Sequence, residues 1–207
     1  MAEILLLRHS MTRGNLEGRY IGCRTDEPLC EEGIRLLENR IYPAVERIYA
    51  SPMKRCVETA QRIWGDGPRS GSGAGADERA GQIPVTLLPA LRECDFGEFE
   101  NKNYRELDGN PAYQAWIDSG GTLPFPGGES MEAFKKRCQE GFAEIAGAVR
   151  DRPLRAAVVA HGGTIMAILE RFGFPGRDYF DYQVKNGCGY LLTPVEGTDL
   201  WNYRCLP

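Results

Sequence analysis

Short apolar runs alternate with amphipathic stretches along this chain, and the alternation predicts strands interleaved with helices. Apolar runs with the length of a buried strand stand at residues 3–7, 47–50, 85–88 and 155–160. The stretches with helical character are residues 31–42, 51–64, 130–149 and 164–172. Strands that alternate with helices in this way favour an α/β fold with a mostly parallel sheet.

Capping residues and prolines predict where several of these helices begin and end. Pro43 is predicted to close the helix at residues 31–42, because proline cannot continue it. Ser51 is predicted to be the N-cap of the next helix, with Pro52 at the first helical position. Ser130 is predicted to begin the long helix that follows the middle of the chain.

We therefore predict a single domain over residues 1–207, a three-layer sandwich whose mostly parallel central sheet is flanked by helices. Residues 101–128 hold short helical pieces interrupted by proline and glycine, which is typical of a small helical cap. Residues 65–82 are rich in glycine, alanine and charge without periodicity, and are predicted to form a flexible loop. Two late apolar runs, at residues 189–193 and 200–203, predict a hairpin.

Composition narrows the classes of protein to consider. The chain has 207 residues, 42% hydrophobic, and a formal net charge of −4, so it lacks the basic excess of a nucleic-acid-binding protein. No apolar run approaches the roughly 18 residues of a membrane helix, and the first residues lack the pattern of a signal peptide. We expect a cytoplasmic protein that binds neither nucleic acid nor membrane, and its oligomeric state, a homodimer included, stays open.

Cysteine and histidine usage argues against a metal centre. The seven cysteines are odd in number and form no CxxC pair, which favours free thiols in a reducing compartment. The two histidines, His9 and His161, lie far apart in the sequence. We therefore expect neither a metal nor another cofactor.

Both histidines stand in the same local context, after an apolar run and before a turn. His9 follows the first predicted strand together with Arg8, and His161 follows the fourth and precedes Gly162. Ligands of open α/β sheets bind beyond the carboxyl ends of the strands, so both histidines are candidates for one pocket. A buried Arg8 would need an anionic partner there. The alternative is that each histidine is a hydrogen-bonded structural residue.

Several motifs, in chain order, resemble those of the histidine phosphatase superfamily, which includes the cofactor-dependent phosphoglycerate mutases. The first, LLRHSMTRGN at residues 6–15, is similar to the RHG-type signature of that family. The others are TDEPL at 25–29 followed by Gly33, SPMKRCVETA at 51–60, LRECDFGEFE at 91–100, PGGES at 126–130 and HGG at 161–163. One such match is weak evidence, but this series in order is specific.

The resemblance implies a metal-independent phosphatase or phosphomutase that works through a phosphohistidine. By it, His9 attacks phosphorus, Arg8 and Arg55 bind phosphoryl oxygens, Glu93 is general acid and base, and His161 donates to the phosphoryl group. Guanidinium groups suit this role because they bind phosphate bidentately and keep their charge. The compact chain favours hydrolysis, and it resembles α-ribazole phosphatases and broad-specificity phosphatases.

The resemblance also implies residues that line the site. Phosphate or substrate contacts are expected from Asn15, Ser10, Arg13 and Gly162, and closure from the cap side by Glu129. Two positions depart from the family pattern: Ser10 stands where glycine is usual, and Met11 where Glu or Gln is usual. Ser10 either restricts the turn, if its φ is positive, or adds a hydroxyl donor to the phosphate.

Three other functions remain open. Cys56 and Arg62 have the C-x5-R spacing of cysteine phosphatases, although the segment has helical character and no glycine to turn backbone N–H groups onto a phosphate. A phosphoglycerate mutase would use the same site residues. A phospho-ligand binder would keep the fold without catalysis, and the presence of both histidines, both arginines and Glu93 argues against it.

Overall fold

The computed structural model describes residues 1–65 and 83–206. Almost all of the loop predicted at residues 65–82 lies outside the described residues. In the described part, strands and helices alternate along the chain, and the predicted α/β class is confirmed.

The strands form one mixed sheet in the order β3-β2-β4-β1-β6-β7-β5. The four strands from β3 to β1 are parallel to one another, whereas β6 is antiparallel to both of its neighbours. The predicted hairpin is the pair β6 and β7. The strands are β1 Glu3–Arg8, β2 Arg47–Ala50, β3 Val85–Leu87, β4 Arg155–Ala160, β5 Gly173–Phe174, β6 Gly189–Pro194 and β7 Trp201–Leu206.

Helices cover both faces of the sheet. On one face α3 packs through Cys56, Ala60 and Trp64, and on the other α5 and α6 pack with the aromatic residues of the 101–128 segment. The helices are α1 Arg13–Leu16, α2 Glu31–Glu38, α3 Lys54–Trp64, α4 Pro111–Asp118, α5 Met131–Val149 and α6 Gly162–Phe172. Within residues 1–65 and 83–206, no helix combines the length and the apolarity that a bilayer crossing demands.

The apolar run of β1 reflects burial from both sides. Ile4 and Leu6 join the core beneath α5 and α6, whereas Leu5 and Leu7 join the core beneath α3. All four side chains are fully buried. A strand covered on both faces has no need for polar alternation, which is why this run is continuous.

Three predicted helix limits are wrong. The helix at 31–42 ends at Glu38, since the Asn39 side chain donates to the Arg35 carbonyl, and Ile41 is left fully exposed. Helix α3 begins at Lys54 with Met53 as its N-cap, not at Ser51. Helix α6 begins at Gly162, two residues before the predicted start.

Parallel pairing brings three strand ends to one edge of the sheet. Arg8 at the end of β1 lies opposite Ala160 of β4, and Ala50 at the end of β2 lies opposite Val159. The residues that follow these strands are His9, Ser51 and His161, and because β4 lies between β1 and β2, His161 is next to both of the others. Two of the three are the predicted histidines.

Candidate active site

His9 is buried, and its ring orientation is set by the backbone. Its Nδ1 lies 2.6 Å from the carbonyl oxygen of Ser10. A carbonyl only accepts, so Nδ1 carries the proton and Nε2 keeps its lone pair. Asn186 holds the same turn by donating from Nδ2 to the His9 carbonyl at 3.1 Å. The ring is thus held in the tautomer that a nucleophilic Nε2 requires.

His161 faces His9, with ring centroids 5.1 Å apart at an interplanar angle of 65°. Its Nε2 lies 2.8 Å from Ser51 Oγ, and Arg55 Nε donates to its Nδ1 at 3.3 Å. Because arginine only donates, Nδ1 is the unprotonated nitrogen and Nε2 donates to Ser51. The Arg55 contact is long for an N–H donor, so it is the weaker of the two.

Arg55 is fully buried without a carboxylate beside it. Its Nη1 and Nη2 donate to the carbonyls of Thr25 and Gly22 at 2.8 and 3.0 Å. Together with the bond to His161, three of its five N–H groups have a partner. It forms no ion pair among the described residues, and a buried charge in that state favours a bound anion.

Arg8 contributes a second positive charge next to Gly162. Its Nη1 donates to the Val184 carbonyl at 2.7 Å, and its buried Nε has no hydrogen-bond partner in the structure. A Cβ placed on Gly162 would lie 3.5 Å from Arg8 Cζ, so the guanidinium lies against the N-terminus of α6. The partial positive charge of that terminus adds to the attraction for an anion.

Glu93 lies on the opposite side of the α6 terminus, where its carboxylate is buried. It accepts from the Cys94 N–H at 3.0 Å and from the Gly163 N–H at 3.2 Å. A Cβ at position 163 would come within 2.5 Å of Glu93 Oε1, so only glycine permits this contact. Burial raises the pKa of Glu93, which opposes the lowering by these two bonds and by Arg55 and Arg8.

Glu129, predicted to close the site from the cap side, is bound by Arg137 in the structure. Its carboxylate forms a two-pronged ion pair with Arg137, at 3.1 Å to Nε and 2.8 Å to Nη2. Arg137 Nη1 in turn donates to the carbonyls of Ala90 and Arg92, beside Glu93. The pair therefore fixes the backbone that carries Glu93, and Glu129 acts through that backbone.

Ser10 and Arg13 are also placed differently from the prediction. Asn101 is the one non-glycine residue with positive φ in the described ranges, so the Ser10 turn is not strained. The Ser10 hydroxyl donates to the Gly33 carbonyl at 2.6 Å and is not directed at a phosphate. Arg13 lies on the surface in an ion pair with Glu17, because the helical spacing brings them together.

Asn15 keeps a free amide group near the nucleophile. Its Oδ1 accepts from the Thr12 N–H at 3.2 Å and from Asn186 Nδ2 at 3.1 Å. The carbonyl end is therefore occupied, and the Nδ2 end is the one available as a donor. This arrangement suits an amide that contacts an anion.

Three residues of the site were not found from the sequence. They are Ser51, which binds His161, Thr59, whose Oγ1 accepts from the Ser10 N–H at 3.0 Å, and Asn186. Ser51 could have been found, since it follows β2 as the histidines follow β1 and β4. Thr59 and Asn186 carry no comparable signal, because they meet the nucleophile only through the folded chain.

Cys56 is not placed to act as a nucleophile. It lies inside α3, fully buried, with Sγ 3.5 Å from His161 Nε2. Burial raises the pKa of the thiol to about 12, so it stays protonated at neutral pH. The cysteine-phosphatase alternative is thereby wrong.

Within the described ranges, no group of three or more His, Cys, Asp or Glu side chains has the arrangement of a metal site.

Both histidine rings are neutral in the folded protein. Burial lowers the pKa of His9 and of His161 well below 6.5, and the charge of Arg55 lowers both further. An unfolded chain would bind protons on both rings near pH 6.5, whereas the folded chain would not. The unfolded state therefore gains protons first as the pH falls, and this favours unfolding.

We expect the free energy of unfolding to drop by about 1.4 kcal/mol per histidine between pH 7.5 and pH 5.5. Denaturant titrations of the wild type and of His9→Gln at both pH values measure this. The variant should lose about 1.4 kcal/mol less than the wild type. Glu93→Gln is the control for the opposite sign, because the raised pKa of Glu93 favours folding as the pH falls. Equal losses in wild type and His9→Gln would mean that the His9 ring is protonated in the folded state.

Comparison with known proteins gives a family model and several relatives that match most of the chain. The sequence model described as the histidine phosphatase superfamily (branch 1) matches residues 4–203. The chain is 26% identical over 193 residues to the adenosylcobalamin/α-ribazole phosphatase of Escherichia coli (strain K12), covering 90% of this chain and 87% of that protein. It is 31% identical over 175 residues to the putative phosphoserine phosphatase 2 of Hydrogenobacter thermophilus, covering 82% and 77%.

A solved structure shares the fold. The putative α-ribazole-5'-P phosphatase of Escherichia coli superimposes with a TM-score of 0.78 at 22% identity, covering 99% of this chain and 95% of that one. The likeness extends over the sheet, both helical layers and the segment that carries α4.

Proposed function

Because the chain belongs to branch 1 of the histidine phosphatase superfamily, we propose that it is a phosphomonoester hydrolase that works through a phosphohistidine on His9. The observation that carries the proposal is the state of the His9 ring. Its Nδ1 is bound by the Ser10 carbonyl, and the ring lies near the charges of Arg55 and Arg8, neither of which forms an ion pair among the described residues. A neutral imidazole beside unpaired cations is suited to attack an anionic phosphorus.

The arginines supply the binding energy for the phosphoryl group. A phosphomonoester carries nearly two negative charges at neutral pH, and Arg55 has two N–H groups without a protein partner. Arg8 Nε, the amide of Asn15 and the N-terminus of α6 at Gly162 add further donors. These fixed donors need no rearrangement when charge moves onto the phosphoryl oxygens.

His161 needs a second proton before it can donate to the phosphoryl group. In the structure its Nδ1 accepts from Arg55 Nε over a long 3.3 Å contact. A bound dianion next to the ring opposes the charge of Arg55 and favours protonation at Nδ1. A proton from solvent then binds Nδ1, the Arg55 Nε–H turns from Nδ1 to a phosphoryl oxygen, and His161 becomes a cationic donor while Ser51 still holds Nε2.

Glu93 is the proton donor for the leaving oxygen. Burial raises the pKa of Glu93 above that of an exposed glutamate, and this is the direction that a general acid needs. After the alcohol leaves, the carboxylate can take a proton from the water that attacks phosphohistidine. The Arg137–Glu129 pair holds the backbone on which this exchange depends.

Small phosphorylated metabolites are the proposed substrates. Likeness to the α-ribazole phosphatase of Escherichia coli supports α-ribazole 5'-phosphate or a broad range of monoesters. A phosphoglycerate mutase would use the same phosphohistidine, so the first step does not distinguish the two reactions. What distinguishes them is whether water or a second sugar phosphate accepts the phosphoryl group.

A quenched reaction tests the proposal directly. With a [32P]-labelled monoester in excess EDTA, we expect label on the protein that is stable in base, lost in acid and located at His9. Phosphohistidine has this stability, and a metal-dependent hydrolase would be stopped by the chelator. Peptide mapping of the labelled protein identifies the residue that carries the label.

Two additions complete the experiment. Adding 3-phosphoglycerate with 2,3-bisphosphoglycerate tests transfer, and label that appears in 2,3-bisphosphoglycerate and 2-phosphoglycerate instead of inorganic phosphate would identify a mutase. Turnover that stops in EDTA, with no label on the protein, would contradict the phosphohistidine. Tight phosphate binding with no turnover of any monoester would identify a binding protein.

A further inference from the structure

An apolar pocket opens next to Glu93, on the side away from the arginines. Its volume is about 190 Å³. Its walls are mainly aromatic and come from the segment after α1, from α4, and from the turn at Tyr179–Tyr182. The side chains that matter below are Tyr20, Trp116, Phe125, Met166 and Phe180. We call this space the aryl pocket.

The aryl pocket shares a wall with the groove beside Arg8. Glu93, Gly163 and Met166 line it, and the same three residues line the groove that contains Arg8 and Gly162. Glu93 therefore lies between the place of the phosphoryl group and the aryl pocket. A leaving oxygen protonated by Glu93 would direct the organic part of the substrate into this pocket.

The charge and size of the pocket limit what it accepts. Glu93 is the one ionisable acid or base at neutral pH among the described residues that line it. A carboxylate in the leaving group would be desolvated in this pocket without a cation to pair with, and burial of an unpaired charge costs free energy. An engineered apolar cavity of about 150 Å³ holds benzene, so about 190 Å³ has room for one ring or two fused rings.

The walls have the shape that suits a flat ring. Trp116 and Phe125 lie with centroids 5.2 Å apart, and Tyr20 meets the Trp116 ring edge-on at 6.0 Å. Ring edges and faces presented together favour an aromatic guest over an aliphatic one. Gly121 keeps this space open, since a Cβ there would lie 3.3 Å from the Trp116 ring and its φ is +76°.

A second direction is available to a leaving group, and it has the opposite chemistry. The groove that contains Arg8 is also lined by Lys185 and Gln183, and it leads away from the aromatic wall. A leaving group with a carboxylate or a second phosphate would extend into this groove. The two directions therefore predict different substrates.

We propose that the leaving group of the substrate carries an uncharged aromatic ring of one or two fused rings, bound in the aryl pocket. The expected hydrolysis rates rest on the proposed phosphatase function. The expected Kd values do not, because a ring enters the pocket whether or not the phosphoryl group is transferred. The pocket then selects substrates by the ring, and the arginines bind every monoester alike.

The test compares three monoesters of primary alcohols, so that the leaving oxygens are chemically similar. They are ethyl phosphate, 2-phenylethyl phosphate and O-phospho-L-serine. Burial of one phenyl ring should raise kcat/KM for 2-phenylethyl phosphate about 10- to 100-fold over ethyl phosphate. O-Phospho-L-serine should be hydrolysed more slowly than ethyl phosphate. Calorimetry with the His9→Ala protein should give the same order of Kd values for the three esters.

A matched pair of phenylalanines tests the location. Phe180 lines the aryl pocket and is 53% exposed, whereas Phe174 is 48% exposed and lies in β5 away from it. Phe180→Ala should lower the ratio of kcat/KM for 2-phenylethyl phosphate to kcat/KM for ethyl phosphate about three- to tenfold, mainly through the KM of the phenyl ester. Phe174→Ala should change neither ester.

The outcomes separate this proposal from the proposed function. Equal kcat/KM and equal Kd for ethyl and 2-phenylethyl phosphate would overturn the aryl pocket while the hydrolase stands. A preference for O-phospho-L-serine would overturn it too and would point to the Lys185 groove. If no ester is hydrolysed but His9→Ala and wild type bind the phenyl ester more tightly, the aryl pocket holds and the hydrolase fails.

Discussion

Replacing His9 with alanine is expected to lower kcat about 10⁴- to 10⁶-fold on every monoester that the protein hydrolyses. The bond to Ser10 leaves Nε2 of this ring as the atom that attacks phosphorus. His161 cannot replace it, since Ser51 and Arg55 bind both of its nitrogens. The Kd for inorganic phosphate should change far less, because Arg8 and Arg55 remain. Steady-state kinetics with p-nitrophenyl phosphate and calorimetry measure the two quantities.

The control for this result is Cys56→Ser. The substitution removes the thiol of the C-x5-R segment and keeps a small polar side chain next to His161. We expect this protein to retain most of its activity, since the thiol is protonated and buried. Loss of turnover in Cys56→Ser, with activity preserved in His9→Ala, would reverse the assignment of the nucleophile.

Arg55→Ala is expected to lower kcat/KM about 10³-fold, since it removes two charged donors from the phosphoryl site and one from His161. Arg55→Lys should be less damaging, because lysine keeps the charge but lacks the planar fork. The alanine variant should also bind inorganic phosphate more weakly. Near-UV circular dichroism checks that the surrounding structure is retained, and near wild-type kcat/KM in a folded Arg55→Ala protein would refute the role.

A second readout separates the charge of Arg55 from its packing. The chain has two histidines, so an NMR titration follows His9 and His161 alone. After burial, the charge of Arg55 is the largest cause that lowers the pKa of each ring. In Arg55→Ala both pKa values should rise and still stay below 6.5, since burial remains. Unchanged values would mean that the charge does not reach the rings.

The site residues that could be predicted from the sequence are those at the carboxyl ends of the predicted strands. His9, Arg8 and His161 follow apolar runs directly, and parallel pairing of β1 with β4 makes such residues neighbours. Arg55 and Glu93 needed the family motifs, because a lone arginine in a helix and a lone glutamate in a loop are ordinary surface residues. Their burial is a property of the packed chain.

The wrong predictions for Ser51, Ser10 and Arg13 have a common physical cause. In each of them another group of the protein binds the side chain that the prediction assigns elsewhere. Ser51 has the local features of an N-cap, but its hydroxyl is bound to His161 and the helix begins three residues later. The resemblance directs the Ser10 hydroxyl to phosphate, but the hydroxyl donates to the Gly33 carbonyl instead. The resemblance also directs Arg13 to the substrate, but Glu17 lies one helical turn away and pairs with it. In each case a partner unknown to the sequence pattern had the better geometry.

The pairing of β1 with strands from the other end of the sequence also has a consequence during synthesis on the ribosome. His9 leaves the exit tunnel about 150 residues before His161, and its strand must wait longer still for β6. A nascent chain therefore holds Leu5 and Leu7 without either neighbouring strand until β4 has been made. During that interval the first strand is an unpaired apolar edge that chaperones can bind. The catalytic centre thus assembles only after β4 has left the tunnel.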